Sequence, residues 1–355
     1  MALDYKKEFE ELLETVMKES ASDLHLSEGR YPTIRVSGFL IPLMNRKMIT
    51  EEDALGFTSA VLTPDDKELF LRNKEIDFSY NYKDKARFRG NGYFQRGNVS
   101  FAFRLIPKKI KSYNDLNLPP ILESFAEKQQ GFFLVVGPVG HGKSTTLASM
   151  IESINEKRAD HIITIEDPIE YMYEQKKSII DQREVRLDTI DFSTALRSVF
   201  RQDVDVILIG EMRGIDTIAT AVTAAETGHL VLSTLHTNNA AQTINRIIDS
   251  FPAAQQDQIR IQLASTLTGI FSQRLIPRIS GGLIPAYELL ISNAAVSNLI
   301  REKRVHEINT VIETGLEHGM IDMNRCLADL VRRGEITAEN AYLYSPNPKV
   351  LERLI

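Results

Sequence analysis

Two rhythms of apolar residues run along this chain. Over residues 1–106, amphipathic helices mix with strands whose side chains alternate between faces. Beyond residue 120, short continuous apolar runs take turns with helical stretches, the pattern of a parallel sheet with crossover helices. The first rhythm opens with Phe9, Leu12, Leu13, Val16 and Met17 on one stripe, which predicts a helix over 4–20 packed on its own domain. Ser22–Ser27 and Thr33–Val36 alternate as strands, with a glycine-bearing turn between them. Thr50 and Asp53 have the spacing of a capping box that opens a helix to about Val61, and Pro64 opens another. Ile76, Phe78, Tyr80 and Tyr82 alternate in a further strand, and Phe88–Gln95 with Val99–Ile106 read as a strand pair. Residues 1–106 are therefore expected to form a small α+β domain. The polar stretch Pro107–Pro120 is a candidate interdomain linker.

The second rhythm fills residues 121–355. Its strand candidates are 131–136, 161–166, 178–182, 204–210 and 229–235, with 270–275 and 283–291 as further ones. The first runs into Gly137-Pro138-Val139-Gly140-His141-Gly142-Lys143-Ser144, followed by Thr145, and this fits the phosphate-binding loop G-x-x-x-x-G-K-[ST]. The helix expected over Ser144–Lys157 carries Leu147, Met150, Ile151 and Ile154 on one face. Strand, glycine loop and helix together give the motif its physical sense. The glycines let backbone N–H groups turn inward toward phosphate oxygens, and the helix N-terminus adds partial positive charge. Lys143 brings a full charge to the β- and γ-phosphates, and the Ser144 hydroxyl is a candidate Mg²⁺ ligand.

In open parallel sheets, ligands bind beyond the carboxyl ends of the strands. Two strand candidates end in acid there. One runs into Glu166-Asp167-Pro168-Ile169-Glu170 and the other into Gly210-Glu211, where glycine stands at a position often held by aspartate. Glu211 then handles the metal or the attacking water alone, or shares that work with Glu166, Asp167 or Glu170. His229 opens one strand and His236 follows its end, so His236 stands where a residue sensing the γ-phosphate would stand, while His229 also reads as a structural histidine. Cys326 lies among Met323, Leu327 and Leu330 at helical spacing and reads as a buried thiol.

Composition narrows the classes. The chain has 355 residues, 43% hydrophobic and 25% charged, which is ordinary for a globular protein of two domains. A single cysteine excludes an internal disulfide and a four-cysteine zinc site. A net charge of −6 does not advertise nucleic-acid binding. No apolar run reaches membrane-span length and residues 1–20 are too charged for a signal peptide, so a cytoplasmic protein is expected. Locally the balance reverses. Residues 83–111 hold nine Lys/Arg against one acid, Asp84. Arg87, Arg89, Arg96 and Arg104 belong to this stretch. Three readings stay open for it: a solvated basic face, arginines offered to a neighbouring subunit's nucleotide, or nucleic-acid binding with Tyr93, Phe94 and Phe103 interleaved.

Together these motifs resemble the type II/IV secretion ATPase superfamily, and specifically the PilT family of type IV pilus retraction motors. The resemblance runs over nearly the whole chain. Ala21–Ser27 and Pro32–Val36 are similar to the family's opening strands, Ile162–Tyr171 to its Asp box, Asp203–Arg213 to its Walker B segment and Thr223–Thr237 to its His box. Ala295–Glu302 is close to the retraction motif A-I-R-N-L-I-R-E, with Ser297 in place of its arginine, and Gly214 replaces an acid common after the Walker B arginine. The resemblance implies a RecA-like P-loop NTPase domain of α/β class preceded by a smaller α+β PAS-like domain. It implies a homohexamer that hydrolyses ATP with Mg²⁺, placed at the inner-membrane base of the pilus against a platform protein and powering retraction and twitching motility. It assigns Glu170 as general base, Glu211 as Walker B acid, His229 and His236 as the His-box histidines, and Arg87, Arg89, Arg96 and Arg104 to the arginine-rich region that reaches nucleotide. Extension and secretion ATPases of the superfamily generally carry a four-cysteine zinc insertion, which one cysteine cannot build. A pilus extension or secretion ATPase is the alternative, and a RecA-like nucleic-acid motor a more distant one.

Overall fold

Strands with one apolar face and helices with one apolar stripe are stable only when packed against each other, and the chain does this twice. The computed structural model describes residues 4–36, 38–83, 85–107 and 109–355; Asp84 of the basic stretch and Lys108 of the linker lie outside the described residues. The chain divides into two units, Met1–Lys108 with Glu170–Met172, and Lys109–Ile169 with Tyr173–Ile355.

In the first unit, helix α1 (Tyr5–Lys18) precedes strands β1 (Asp23–Ser27), β2 (Thr33–Val36) and β3 (Phe39–Pro42). Helices α2 (Glu51–Val61) and α3 (Pro64–Asn73) lead into β4 (Glu75–Tyr82), β5 (Ala86–Gln95) and β6 (Asn98–Ile106). The six strands form one antiparallel sheet in the order β3-β2-β1-β6-β5-β4. The α1 stripe packs on its inner face, with the Phe9 ring 4.8 Å from that of Phe103 and 6.4 Å from Phe57 of α2. The capping box forms as the spacing predicts. The Asp53 N–H donates to Thr50 Oγ1 at 3.2 Å and the Thr50 N–H to Asp53 Oδ2 at 3.0 Å. Strand β3 has no counterpart in the sequence reading. All four of its residues are exposed, so the run Phe-Leu-Ile-Pro has no buried face to impose alternation.

The second unit begins with local turns, in which the Ser112 N–H donates to Asp115 Oδ2 and the Asp115 N–H to Ser112 Oγ. Helix α4 (Leu122–Ala126) precedes β7 (Gly131–Val136), α5 (Lys143–Lys157), β8 (His161–Glu166) and β9 (Ile179–Glu184). Next come α6 (Phe192–Val199), β10 (Val206–Ile209), α7 (Ile215–Glu226), β11 (Leu230–Leu235), α8 (Ala240–Asp249) and α9 (Ala253–Thr266). The long strands β12 (Leu267–Pro277) and β13 (Leu283–Ile291) follow, then α10 (Ala294–Arg301), α11 (Ile308–Thr314), α12 (Met323–Arg332), α13 (Ala338–Tyr344) and α14 (Pro348–Glu352). The sheet order is β13-β12-β7-β11-β10-β8-β9. Every pairing is parallel except β12 with β13. The fold is thus α/β with a parallel-strand sheet, and the antiparallel β13 closes one edge.

The continuous apolar runs are explained by burial on both faces. Phe132, Leu134 and Val136 of β7 point into the core that holds α6 to α11. Phe133 and Val135 point into the opposite core, against α4 and α5. Ser297, which replaces the arginine of the retraction motif, donates its hydroxyl to the Ala264 carbonyl of α9 at 2.8 Å. Cys326 packs beside Ile284 and Leu327 and accepts the Tyr287 N–H at 3.3 Å; burial pushes its thiol up to about 12. Among the described residues, no helix is long and apolar enough to cross a membrane.

Two outcomes follow from this packing. Thr50→Ala removes one half of the capping box and is expected to cost about 1 kcal/mol in chemical denaturation of the first unit; an unchanged transition would show that the cap contributes nothing. Cys326 is expected to resist maleimide or iodoacetamide at pH 8 in the native protein and to react once denatured, whereas rapid native labelling would contradict its burial.

Candidate active site

Three neighbouring parallel strands set the site. The phosphate loop follows β7, Glu211 follows β10, and β11 lies between them and is followed by His236. Parallel strands present all three ends on the same edge of the sheet. The middle residue therefore bridges the outer two. Lys143 Nζ lies 3.2 Å from His236 Nδ1, and His236 Nε2 lies 3.3 Å from Glu211 Oε1. An ammonium has only protons to offer, so Nδ1 is the acceptor and Nε2 carries the proton toward Glu211. Arg213 Nη2 donates to the other carboxylate oxygen of Glu211 at 2.8 Å. This hydrogen bond leads the influences that hold the Glu211 carboxyl below its usual range; burial opposes it, and the charges of Arg213 and Lys143 act with it.

Lys143 is only 7% exposed, and burying an ammonium is costly without acceptors. The loop supplies them. Nζ donates to the carbonyls of Gly137 and Pro138, each at 2.9 Å. Gly142 is the N-cap of α5, and no side chain caps that helix. Ser144 is exposed in that first turn and Thr145 follows it half-buried. Val139 at the loop tip is 79% exposed, a side chain that contributes backbone rather than packing. Gly140 has φ +80°.

The other acid cluster divides. Glu166 is buried at the end of β8 and accepts the Thr164 hydroxyl at 2.6 Å. A Cβ at Gly210 would stand 3.3 Å from the Ile165 carbonyl oxygen and 3.4 Å from Glu166 Cα, so Glu166 and its strand crowd the place where an aspartate is often found. Glu170 is exposed in the loop after β8. The Ser144 and Glu211 oxygens are the hard donors that Mg²⁺ takes, few enough to leave positions for phosphate and water, and on donor chemistry they fit that ion.

Not every candidate is gathered here. His229 precedes β11 and His236 follows it, about 20 Å apart along an extended strand. His229 Nδ1 lies 2.9 Å from the Ala224 carbonyl and its ring meets Phe200 edge-on, so it stands at the far edge of the sheet from the loop. The four arginines belong to the first unit. Arg87 is buried on β5 and reaches Asn81 Oδ1 at 3.3 Å. Arg89 stands across from Arg104 in the β5–β6 register, and Arg96 is exposed in the turn between those strands. Arg104 projects into solvent with its Nε donating to Asp23 Oδ1 at 2.9 Å. Phe103 is fully buried against Phe9, and Phe94 packs on Phe70, so two of the three aromatic residues interleaved with the arginines are engaged in packing. Arg213 was missed as a partner of Glu211, although its spacing of two along an extended segment puts both side chains on one side.

A family model described as type II/IV secretion system protein matches residues 103–314. The type IV pilus retraction ATPase PilT of Pseudomonas aeruginosa is 43% identical over 331 residues, 93% of this chain and 96% of that protein. The chain belongs to the PilT family. A twitching motility protein of Neisseria gonorrhoeae is 44% identical over 87% of this chain and 83% of its own length. The crystal structure of the pilus retraction motor PilT with bound ADP superposes with a TM-score of 0.91, at 44% identity and covering 97% of this chain and 98% of that one. Membership in the PilT family thus rests on the whole chain, not only on the phosphate loop.

Arg213→Ala removes the leading influence on Glu211. Its titration, followed by carboxyl ¹³C NMR, is expected to move up toward the ordinary carboxylate value; a midpoint that does not move would place the cause elsewhere.

Proposed function

We propose that this chain is a motor ATPase that hydrolyses ATP to power retraction of a type IV pilus. The observation that carries this reading is the relay from Lys143 through His236 to Glu211 at the ends of three adjacent parallel strands, in a chain of the PilT family. The loop amides of residues 137–145 and Lys143 hold the phosphates. Ser144 and Glu211 would hold Mg²⁺, which would neutralise phosphate charge when bound with the nucleotide. His236 joins the group nearest the transferred phosphate to the acid, so the presence of that phosphate is felt at Glu211. Glu170 accepts the proton of the attacking water, and arginines of the set Arg87, Arg89, Arg96 and Arg104, lent by a neighbouring subunit, stabilise the charge of the transition state. His229, at the other edge of the sheet, takes a supporting place.

The same reading makes the working assembly a homohexamer in the cytoplasm at the inner-membrane base of a pilus, passing force to a platform protein. It makes residues 1–106 a PAS-like domain, 107–120 a linker and 121–355 the RecA-like ATPase domain with a helical C-terminal extension. Against an extension or secretion ATPase stands the single cysteine, which cannot build the zinc insertion. Against a nucleic-acid motor stand the net charge of −6 and the burial of Phe103.

Glu170→Gln is expected to keep ATP binding and to lose turnover by about 10²-fold or more, while Lys143→Ala loses binding as well. Turnover at the wild-type rate in Glu170→Gln would remove that residue from the chemistry. Cells lacking the gene are expected to be hyperpiliated and non-motile, and bald cells would instead indicate pilus assembly.

A further inference from the structure

The phosphate loop leans on a residue about 130 positions away. Gln273 of β12 is 3% exposed, and both ends of its amide are engaged. Its Nε2 donates to the His141 carbonyl at 2.8 Å, and its Oε1 accepts the Thr146 hydroxyl of α5 at 2.6 Å. The same strand grips the loop at two more points. The Leu275 N–H donates to His141 Nδ1 at 2.9 Å. A Cβ on Gly137 would stand 2.3 Å from the Gln273 carbonyl oxygen, and one on Gly142 2.9 Å from its Nε2. Both glycines have positive φ, +148° and +78°. They are required by the closeness of β12 as well as by any phosphate.

We propose that Gln273 is a positioning residue for nucleotide binding: by holding the His141 carbonyl outward it turns the next N–H, that of Gly142, into the phosphate-binding concavity. The reason is geometric. In a planar trans peptide the C=O and the N–H point in opposite directions. A hydrogen bond that fixes the His141 oxygen toward β12 therefore fixes the Gly142 N–H away from it. The Thr146 hydroxyl holds the other end of the amide, and turning the glutamine oxygen to the loop would set it against the His141 carbonyl, which can only accept. His141 adds a second tie through its ring. Accepting the Leu275 N–H requires Nδ1 to be unprotonated, and burial, Arg274 and Lys143 all lower the tendency of this imidazole to take up a proton. The loop thus has its binding shape set from behind, from a strand that carries no recognised motif. Preorganised donors cost less to use than donors that must be turned on binding.

This inference rests on the ATPase reading, and the test separates the two. Gln273→Met keeps length and bulk but neither donates nor accepts. In the full-length protein it is expected to raise KM for ATP and Kd for ADP about tenfold or more, with kcat within about twofold and the melting temperature held. Gln273→Glu provides a second readout. Its carboxyl can donate to the His141 carbonyl only when protonated, so its KM is expected to fall back toward wild type as pH is lowered from 7.5 to 6, while that of Gln273→Met does not. Unchanged nucleotide affinity in Gln273→Met overturns the proposal. So does a loss of melting temperature with KM unchanged in the folded fraction, which would make the residue merely structural. If the wild-type protein itself binds neither ATP nor ADP, the ATPase reading falls first and takes this inference with it.

Discussion

A lysine ammonium buried in the first turn of the helix that follows the phosphate loop is the constraint on which the rest of this site depends. At 7% exposure Lys143 has lost most of its water, and the acceptors around it must replace that hydration. Two come from carbonyls of its own loop, at Gly137 and Pro138, and a third from the His236 ring. That third acceptor ties the charge to a different strand. It also fixes the imidazole tautomer, because an ammonium can only donate. The proton on His236 Nε2 then faces Glu211, and Arg213 completes the pairing of that carboxylate. One buried charge thereby dictates the protonation and orientation of the groups that follow it.

This arrangement needs the strand order. With β11 between β7 and β10, the residue just after it, His236, can touch the groups that follow both neighbours. In another order the same motifs would end on the same edge of the sheet without meeting. Rigidity comes from burial of both faces of these strands, with Phe132 and Phe133 facing opposite cores. The loop is then held between its own strand and β12, where Gln273 and Leu275 fix its carbonyl and its imidazole. The phosphate-facing side of the loop and the β12-facing side are two surfaces of one backbone, so the glycines at 137 and 142 serve both.

Much of the fold was legible because local rules and tertiary packing agree here. The α1 stripe, the Thr50–Asp53 box and the alternation of β4 to β6 are each set by neighbours in sequence, and each appears. Strand β3 was not legible, since four exposed residues carry no burial pattern. Strand β13 was legible as a strand but its antiparallel direction was not, because an apolar run buried on a sheet looks the same in either direction. In the basic stretch, alternation separated Arg104 from the buried Phe101 and Phe103, yet spacing alone did not show that Phe103 and Phe94 are used up in packing.

By itself the sequence determined the chemistry available: a glycine loop with Lys143 and Ser144, acids after two apolar strands, histidines at both ends of a third, and a single cysteine. It determined the class of fold through periodicity, and the family through motifs spread over the whole chain. Only the tertiary structure decided which of these groups meet. It brought His236 to Lys143 and Glu211 and left His229 at the opposite edge, because the two ends of one strand cannot both lie at the same edge of a sheet. It also decided that Gln273, about 130 residues from the loop in sequence, lies beside it, because β12 pairs with β7. Local pattern records what a segment prefers; strand neighbours are chosen by the whole chain, through a sheet whose order no segment encodes alone.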